Sequence, residues 1–166
     1  SSDLLYIAAF LEFRQRNHQE SLRLLGEAYR VNPDDWRVHQ LFALNYVVLG
    51  IGEGALTEFR RAVSLNPSNA ELHYQLARFY HSDAMIQESV EESKKALAIF
   101  PEYPEVFENL GLCYEALAED QLAQENFELA IGLLAKFEQK DEWPFLNYGE
   151  FLLKRGDAEA SAKQFE

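Results

Sequence analysis

Four histidines, one cysteine and 28 carboxylates are the groups in this 166-residue chain that could do chemistry. Metal binding comes first, because His39 and His73 stand 34 residues apart in similar local sequence. Equivalent places in stacked helical blocks lie about 10 Å apart, the spacing of packed helices. A shared zinc would need each ligand nitrogen within about 2.0–2.1 Å. The pair therefore predicts two residues packed at helix seams, with no metal and no other cofactor. Cys113, between Leu112 and Tyr114, reads as a buried, inert thiol, since free cysteine packs as a small hydrophobe. A single cysteine excludes an internal disulfide. No glycine-rich phosphate loop, H-E-x-x-H, C-x-x-C or G-x-S-x-G motif occurs. The carboxylates are many, but no two are distinguished by spacing as acid and base. The chain reads as a non-enzyme with no catalytic residues.

The same 34-residue interval organises everything else. Pro33, Pro67 and Pro101 are spaced by it, as are Ala28, Ala62, Ala96 and Ala130, the last with no proline after it. Tyr46, Tyr80 and Tyr114 repeat it, and so do Ala9, Ala43, Ala77 and Gly111. A period in this range marks an array of stacked units, each too small to bury its own apolar face. Inside a block the apolar residues recur at helical spacing: Leu72, Leu76, Phe79 and Tyr80, then Val90, Ala96 and Leu97. Asn-Pro ends the second helix of a block, because the residue before proline leaves the helical region and proline has no donor. Asp34-Asp35 and Ser68-Asn69 supply the cap of the next helix. The pattern predicts helix pairs at 3–16/18–31, 36–49/53–65, 70–82/86–99, 104–117/121–137 and 142–155/158–166. The small residue of each first helix lets a neighbour approach closely, so Gly111→Leu is expected to overpack the seam between adjacent repeats.

These residues resemble the tetratricopeptide repeat, whose skeleton is W-x2-L-G-x2-Y…A-x3-F…P. Phe107, Leu110, Gly111, Tyr114, Ala123, Phe127 and Ala130 carry it in one block, and Ala43, Tyr46, Ala55, Phe59, Ala62 and Pro67 in another. Residues 70–103 keep Leu76, Ala77, Tyr80, Ala96 and Pro101 but place Ser89 and Ser93 where alanine and an aromatic are usual. The opening block is looser, with Ala9, Ser21, Leu25, Ala28 and Pro33. The resemblance spans essentially the whole chain. It implies an all-α, right-handed superhelical solenoid of antiparallel helix pairs. As one array over 1–166 the repeats would be 2–35, 36–69, 70–103, 104–141 and a partial 142–166.

Two departures carry information. Gly149 follows Gly111 by 38 residues instead of 34, and no proline follows Ala130, which predicts one extra turn on that second helix. Gln139-Lys140-Asp141 then turns the chain, and Pro144 suits the next first turn. The chain opens on Ser1-Ser2 and stops at Glu166 within a predicted helix, so it is expected to be an excerpt of a longer protein.

Net charge is −13, with 26% charged and 48% apolar residues. The acidity argues against nucleic acid, whose binders present basic faces to phosphate. No apolar stretch is long enough to span a membrane. Compartment is not assigned by anything in the sequence.

With no chemistry to house, function falls to the surface. The resemblance implies a concave groove, lined by first helices, that holds a peptide or partner segment. Its groove positions map onto Phe10, Gln40, Leu44, Tyr74, Arg78, His81, Glu105, Glu108, Asn109, Leu112 and Asn147, beside Tyr6, Arg37, Val48, Glu115 and Trp143. A partner with apolar anchors, and basic residues toward the fourth repeat, would suit them. The carboxylate clamp of chaperone-adaptor relatives is not reproduced: only Asn109 fits it, and Glu105 and Glu108 would repel an acidic tail. The expectation is a non-catalytic protein-interaction module. The alternatives are a regulatory or scaffolding segment of a multidomain enzyme and a self-assembly element associating through exposed terminal repeats.

Overall fold

The structure is a computed structural model that describes residues 1–156. The second helix expected at 158–166 lies outside them. Among the described residues nine helices follow one another: α1 Ser2–Arg14, α2 His18–Val31, α3 Trp36–Val48, α4 Gly52–Leu65, α5 Ala70–Ser82, α6 Ile86–Ile99, α7 Pro104–Ala116, α8 Asp120–Lys136 and α9 Trp143–Lys154. No described residue is in a strand. The expected boundaries hold to within two residues, the largest shift being at the end of α1. Packing contacts divide the chain into unit 1, Ser1–Leu76, and unit 2, Ala77–Glu166.

The joints follow from local chemistry. Asn32 and Phe100 end α2 and α6 in extended conformation, as a following proline requires. The next helix is capped from the side: Asp35 Oδ1 accepts from the amide of Arg37 at 3.1 Å, and Asn69 Oδ1 from that of Glu71 at 3.0 Å. α8 runs 17 residues where α2, α4 and α6 run 14, which is the extra turn expected from the missing proline. It stops at Lys136, and Glu138 beyond it lies in the left-handed region at φ 53°.

Within each pair the three-residue turns share a signature that the repeat skeleton did not announce. Arg16, Gly50, Ala84 and Ala118 have φ of 64°, 72°, 58° and 59°, and they are spaced by 34 residues. The residue after each donates to a carbonyl five back: Asn17 to Glu12, Ile51 to Tyr46, Met85 to Tyr80 and Glu119 to Tyr114, at 2.8–2.9 Å. This is the glycine-type helix ending, yet only one of the four is glycine. A left-handed conformation costs an L-residue about 1–2 kcal/mol, and glycine in exchange loses about 0.5–1 kcal/mol of chain entropy. Ala84→Gly and Ala118→Gly should therefore each stabilise unit 2, by up to about 1 kcal/mol. A denaturant midpoint that falls in either variant would contradict the turn geometry.

Unit 1 is built around Ala9, Leu25, Ala28, Val38 and Leu41, flanked by Leu5, Tyr6, Phe13, Phe42 and Leu44. Beside them lies a polar joint. Asn45, wholly buried, donates to Ser21 Oγ at 3.0 Å and to Leu41 O at 2.9 Å, while its Oδ1 meets His18 Nδ1 at 3.0 Å. Unit 2 holds Ala123, Phe127, Tyr148, Phe151 and Leu152 in one cluster, and Val90, Leu110 and Cys113 in another. A Cβ on Gly111 would stand 2.7 Å from the ring of Phe127. Phe127 belongs to α8, the partner of α7 in the same pair. The close approach at Gly111 therefore lies inside a repeat, not between adjacent repeats as expected, because this small residue faces its own second helix.

Candidate interaction surface

In unit 1 the first helices carry Tyr6, Phe10, Arg37, Gln40, Leu44, Val48 and Tyr74. Tyr6 and Phe10 stack at 6.4 Å between centroids, one turn apart on α1. Arg37 lies over the Tyr6 ring at 5.1 Å and is tied to Asp3 at 2.6 Å and Asp35 at 2.7 Å. Arg37 holds the Asp35 carboxyl below its usual range. Burial raises Tyr6 against the opposing pull of Arg37. Phe10 and Val48 are exposed, at 37% and 58%, so the apolar character of this face is available to solvent. Leu44 is half-buried against the unit 1 core, and Tyr74 is half-buried. Gln40 donates to Gln75 Oε1 at 2.9 Å, and Gln75 in turn donates to Glu71 at 2.7 Å.

In unit 2 the expected residues separate into three kinds. Glu105, Glu108, Asn147 and Trp143 line neighbouring stretches of α7 and α9, with Asn147 donating its amide to Glu108. Burial raises the Glu108 carboxyl above its ordinary value, Asn147 opposing that shift. Trp143 is 66% exposed. Arg78 is exposed, and His81 is half-buried, its pKa pushed down by burial while Glu115 opposes. Glu115 is itself bonded to Lys154 at 3.1 Å, which offsets part of the expected negative charge there. Leu112 packs against the cluster around Phe127.

Asn109 has to be corrected. It is 5% exposed, and its amide donates to Ser89 Oγ and Ser93 Oγ, each at 3.0 Å. Ser89 Oγ donates to the Ala77 carbonyl at 2.7 Å and accepts from the Cys113 thiol at 3.1 Å. The two serines that departed from the repeat skeleton thus exist to satisfy a buried asparagine, which is spent on packing and is not a surface residue. A buried amide needs partners, and polar residues at the second-helix positions were the signal that could have found them. Cys113 is wholly buried and its thiol is pushed up by that burial, as an inert cysteine should be.

The histidines also resolve. His39 and His73 are both 5% exposed, and each bonds through Nε2 to the carbonyl of the proline six residues earlier, Pro33 at 2.9 Å and Pro67 at 2.8 Å. They tie down the turn that proline opens. No group of three or more potential metal ligands converges among the described residues. No helix formed by them is long and apolar enough to cross a membrane.

Charge is unevenly carried. Residues 1–76 hold nine acidic and seven basic side chains, a net −2, while 77–166 hold nineteen and eight, a net −11.

Comparison with known proteins converges on one architecture. Residues 43–83 match the family model of the TPR repeat. No curated protein matches the chain in sequence. Among solved structures, PilF of Pseudomonas aeruginosa superposes with a TM-score of 0.87 at 20% identity, over 99% of this chain and 73% of its own. A thermophilic TPR protein of Thermus thermophilus gives 0.77 at 18%, over 99% and 88%. The APC/C hetero-tetramer Cut9–Hcn1 gives 0.86 at 16%, over 99% of this chain and 32% of the other. At these identities the likenesses establish the fold.

Proposed function

We propose that this all-α helical array, which has the fold of TPR proteins and matches the TPR-repeat model over residues 43–83, is a non-catalytic interaction module that holds extended partner segments on the faces of its first helices. Protein interaction is the general work of such arrays; the particular faces and partner chemistry are the proposal. The observation that carries it is the exposed Phe10 and Val48 on first-helix faces of unit 1, large apolar groups left out of the core. Isolated apolar side chains on a surface are ordinary, but here Phe10 stacks on Tyr6, over whose ring Arg37 lies. The first-helix face of unit 2 offers the complementary chemistry, with Glu105 and Glu108 for a basic side chain and exposed Trp143 for an apolar one. That Cut9 was solved in a hetero-tetramer with Hcn1 fits a fold used for assembly.

Selection of random peptides on the immobilised chain tests this. Enriched peptides should combine apolar and basic residues, and their binding should weaken with salt. Phe10→Glu should remove binding that depends on unit 1. Glu105→Lys with Glu108→Lys should remove the salt dependence of binding to unit 2. Failure of any peptide to enrich over a scrambled pool, or unchanged affinity in both variants, would overturn the proposal.

A further inference from the structure

The ring of His39 is bonded at both nitrogens to groups that accept. Nε2 lies 2.9 Å from the carbonyl oxygen of Pro33, and Nδ1 lies 2.6 Å from Oε2 of Glu58. A carbonyl oxygen has no proton to give, nor has an ionised carboxylate, so the two bonds together require N–H on both ring nitrogens. A neutral imidazole can serve only one of them. We infer that His39 is a proton-operated latch, which when protonated ties α3 both to the 32–35 turn and to α4, and when neutral releases one of the two. The latch sits between Arg37 and Gln40, so it bears on the first-helix face of unit 1.

The surroundings favour the closed form. Glu58 on α4 faces the ring directly. Asp35, held by Arg37, adds negative potential from the turn. Arg61 on α4 opposes it but is paired with Asp34 at 2.6 Å. Tyr29 on α2 packs edge-on at 5.8 Å between centroids. Burial disfavours the charged ring, yet Glu58 and the Pro33 carbonyl outweigh it, and the His39 pKa is raised above the ordinary histidine value. A histidine with a raised folded-state pKa lends stability that is fully present below its unfolded pKa and is lost as pH rises through the folded one. The latch therefore opens on the alkaline side of the ordinary histidine range. The fold does not itself demand histidine here: the same register position in the fourth repeat is Phe107.

That natural alternative supplies the test. NMR of the full chain should detect two protonated ring nitrogens on His39 on the acid side of neutrality, the resonance being identified by its loss in His39→Phe. Its titration midpoint should lie above that of an unperturbed histidine side chain and move down in Glu58→Gln. Hydrogen-exchange protection of amides 34–41, taken relative to His39→Phe at each pH, should fall as pH rises through that midpoint. A midpoint at or below that of an unperturbed histidine side chain, one unmoved by Glu58→Gln, or the same loss of protection in His39→Phe, would each overturn the latch.

Discussion

Replacing Gly111 with alanine should destabilise unit 2 by about 1–3 kcal/mol, the cost of overpacking a filled core. Helix propensity alone points the other way, since removing glycine from a helix interior gains up to about 1 kcal/mol. Geometry decides between them. The new methyl would lie 2.7 Å from Cδ1 and Cε1 of Phe127. That ring has nowhere to go: it is wholly buried, with Tyr148 and Phe151 each 5.7 Å away between centroids. Trimming the ring should reverse the sign. In a Phe127→Leu background, Gly111→Ala should be neutral or stabilising, and the two changes should be coupled by about 1 kcal/mol or more. Denaturant midpoints of the four proteins measure it. Additive effects would mean that α7 and α8 can separate freely, against the packing described.

The second large effect is expected at the Ser21–Asn45 joint. Asn45→Phe should cost unit 1 about 1–3 kcal/mol, by overpacking and by stripping Ser21 and His18 of a partner. Ser21→Ala should cost about 1 kcal/mol through the lost hydrogen bond. Together they should cost less than their sum, by about 0.5–3 kcal/mol. The reason is written along the chain. Positions equivalent to Ser21 and Asn45 read Ala55 and Phe79, then Ser89 and Cys113, then Ala123 and, after the four-residue reset, Phe151. The last pair shares one apolar cluster, while the Ser89–Cys113 pair is hydrogen-bonded at 3.1 Å. Two solutions, serine with a polar group or alanine with an aromatic, thus serve the same kind of joint. A double variant as damaged as the two single changes combined would show that the alternation in sequence is not an alternation in packing.

What could be foreseen from the residues divides along physical lines. Helix limits were legible because proline, asparagine and aspartate act locally, on the backbone within a few residues. The length of α8 was legible for the same reason, through an absent proline. The buried state of Cys113 followed from its place among Leu112 and Tyr114. The left-handed turns at Arg16, Ala84 and Ala118 were not foreseen, because three of the four equivalent positions lack the glycine that marks such turns, and the conformation is imposed by the hairpin on residues that do not prefer it. Asn109 was assigned to the surface by family position, and only its serine partners, 16 and 20 residues earlier, reveal that it is buried. Gln40 with Gln75 and Glu108 with Asn147 join equivalent helices one repeat on, pairings visible only once the period is folded. Which of the remaining face residues touch a partner is a property of that partner as well as of this chain.

The division of charge between residues 1–76 and 77–166 bears on kinetics before it bears on affinity. At low ionic strength a field of net −11 draws a cationic segment from about 30 Å out, and such steering raises encounter rates by factors of about 10–1,000 where a net −2 does little. At physiological ionic strength the reach shrinks to about 8 Å. A basic partner would therefore arrive at the acidic stretch first and find its apolar contacts afterwards, so that salt slows its arrival far more than it hastens its departure.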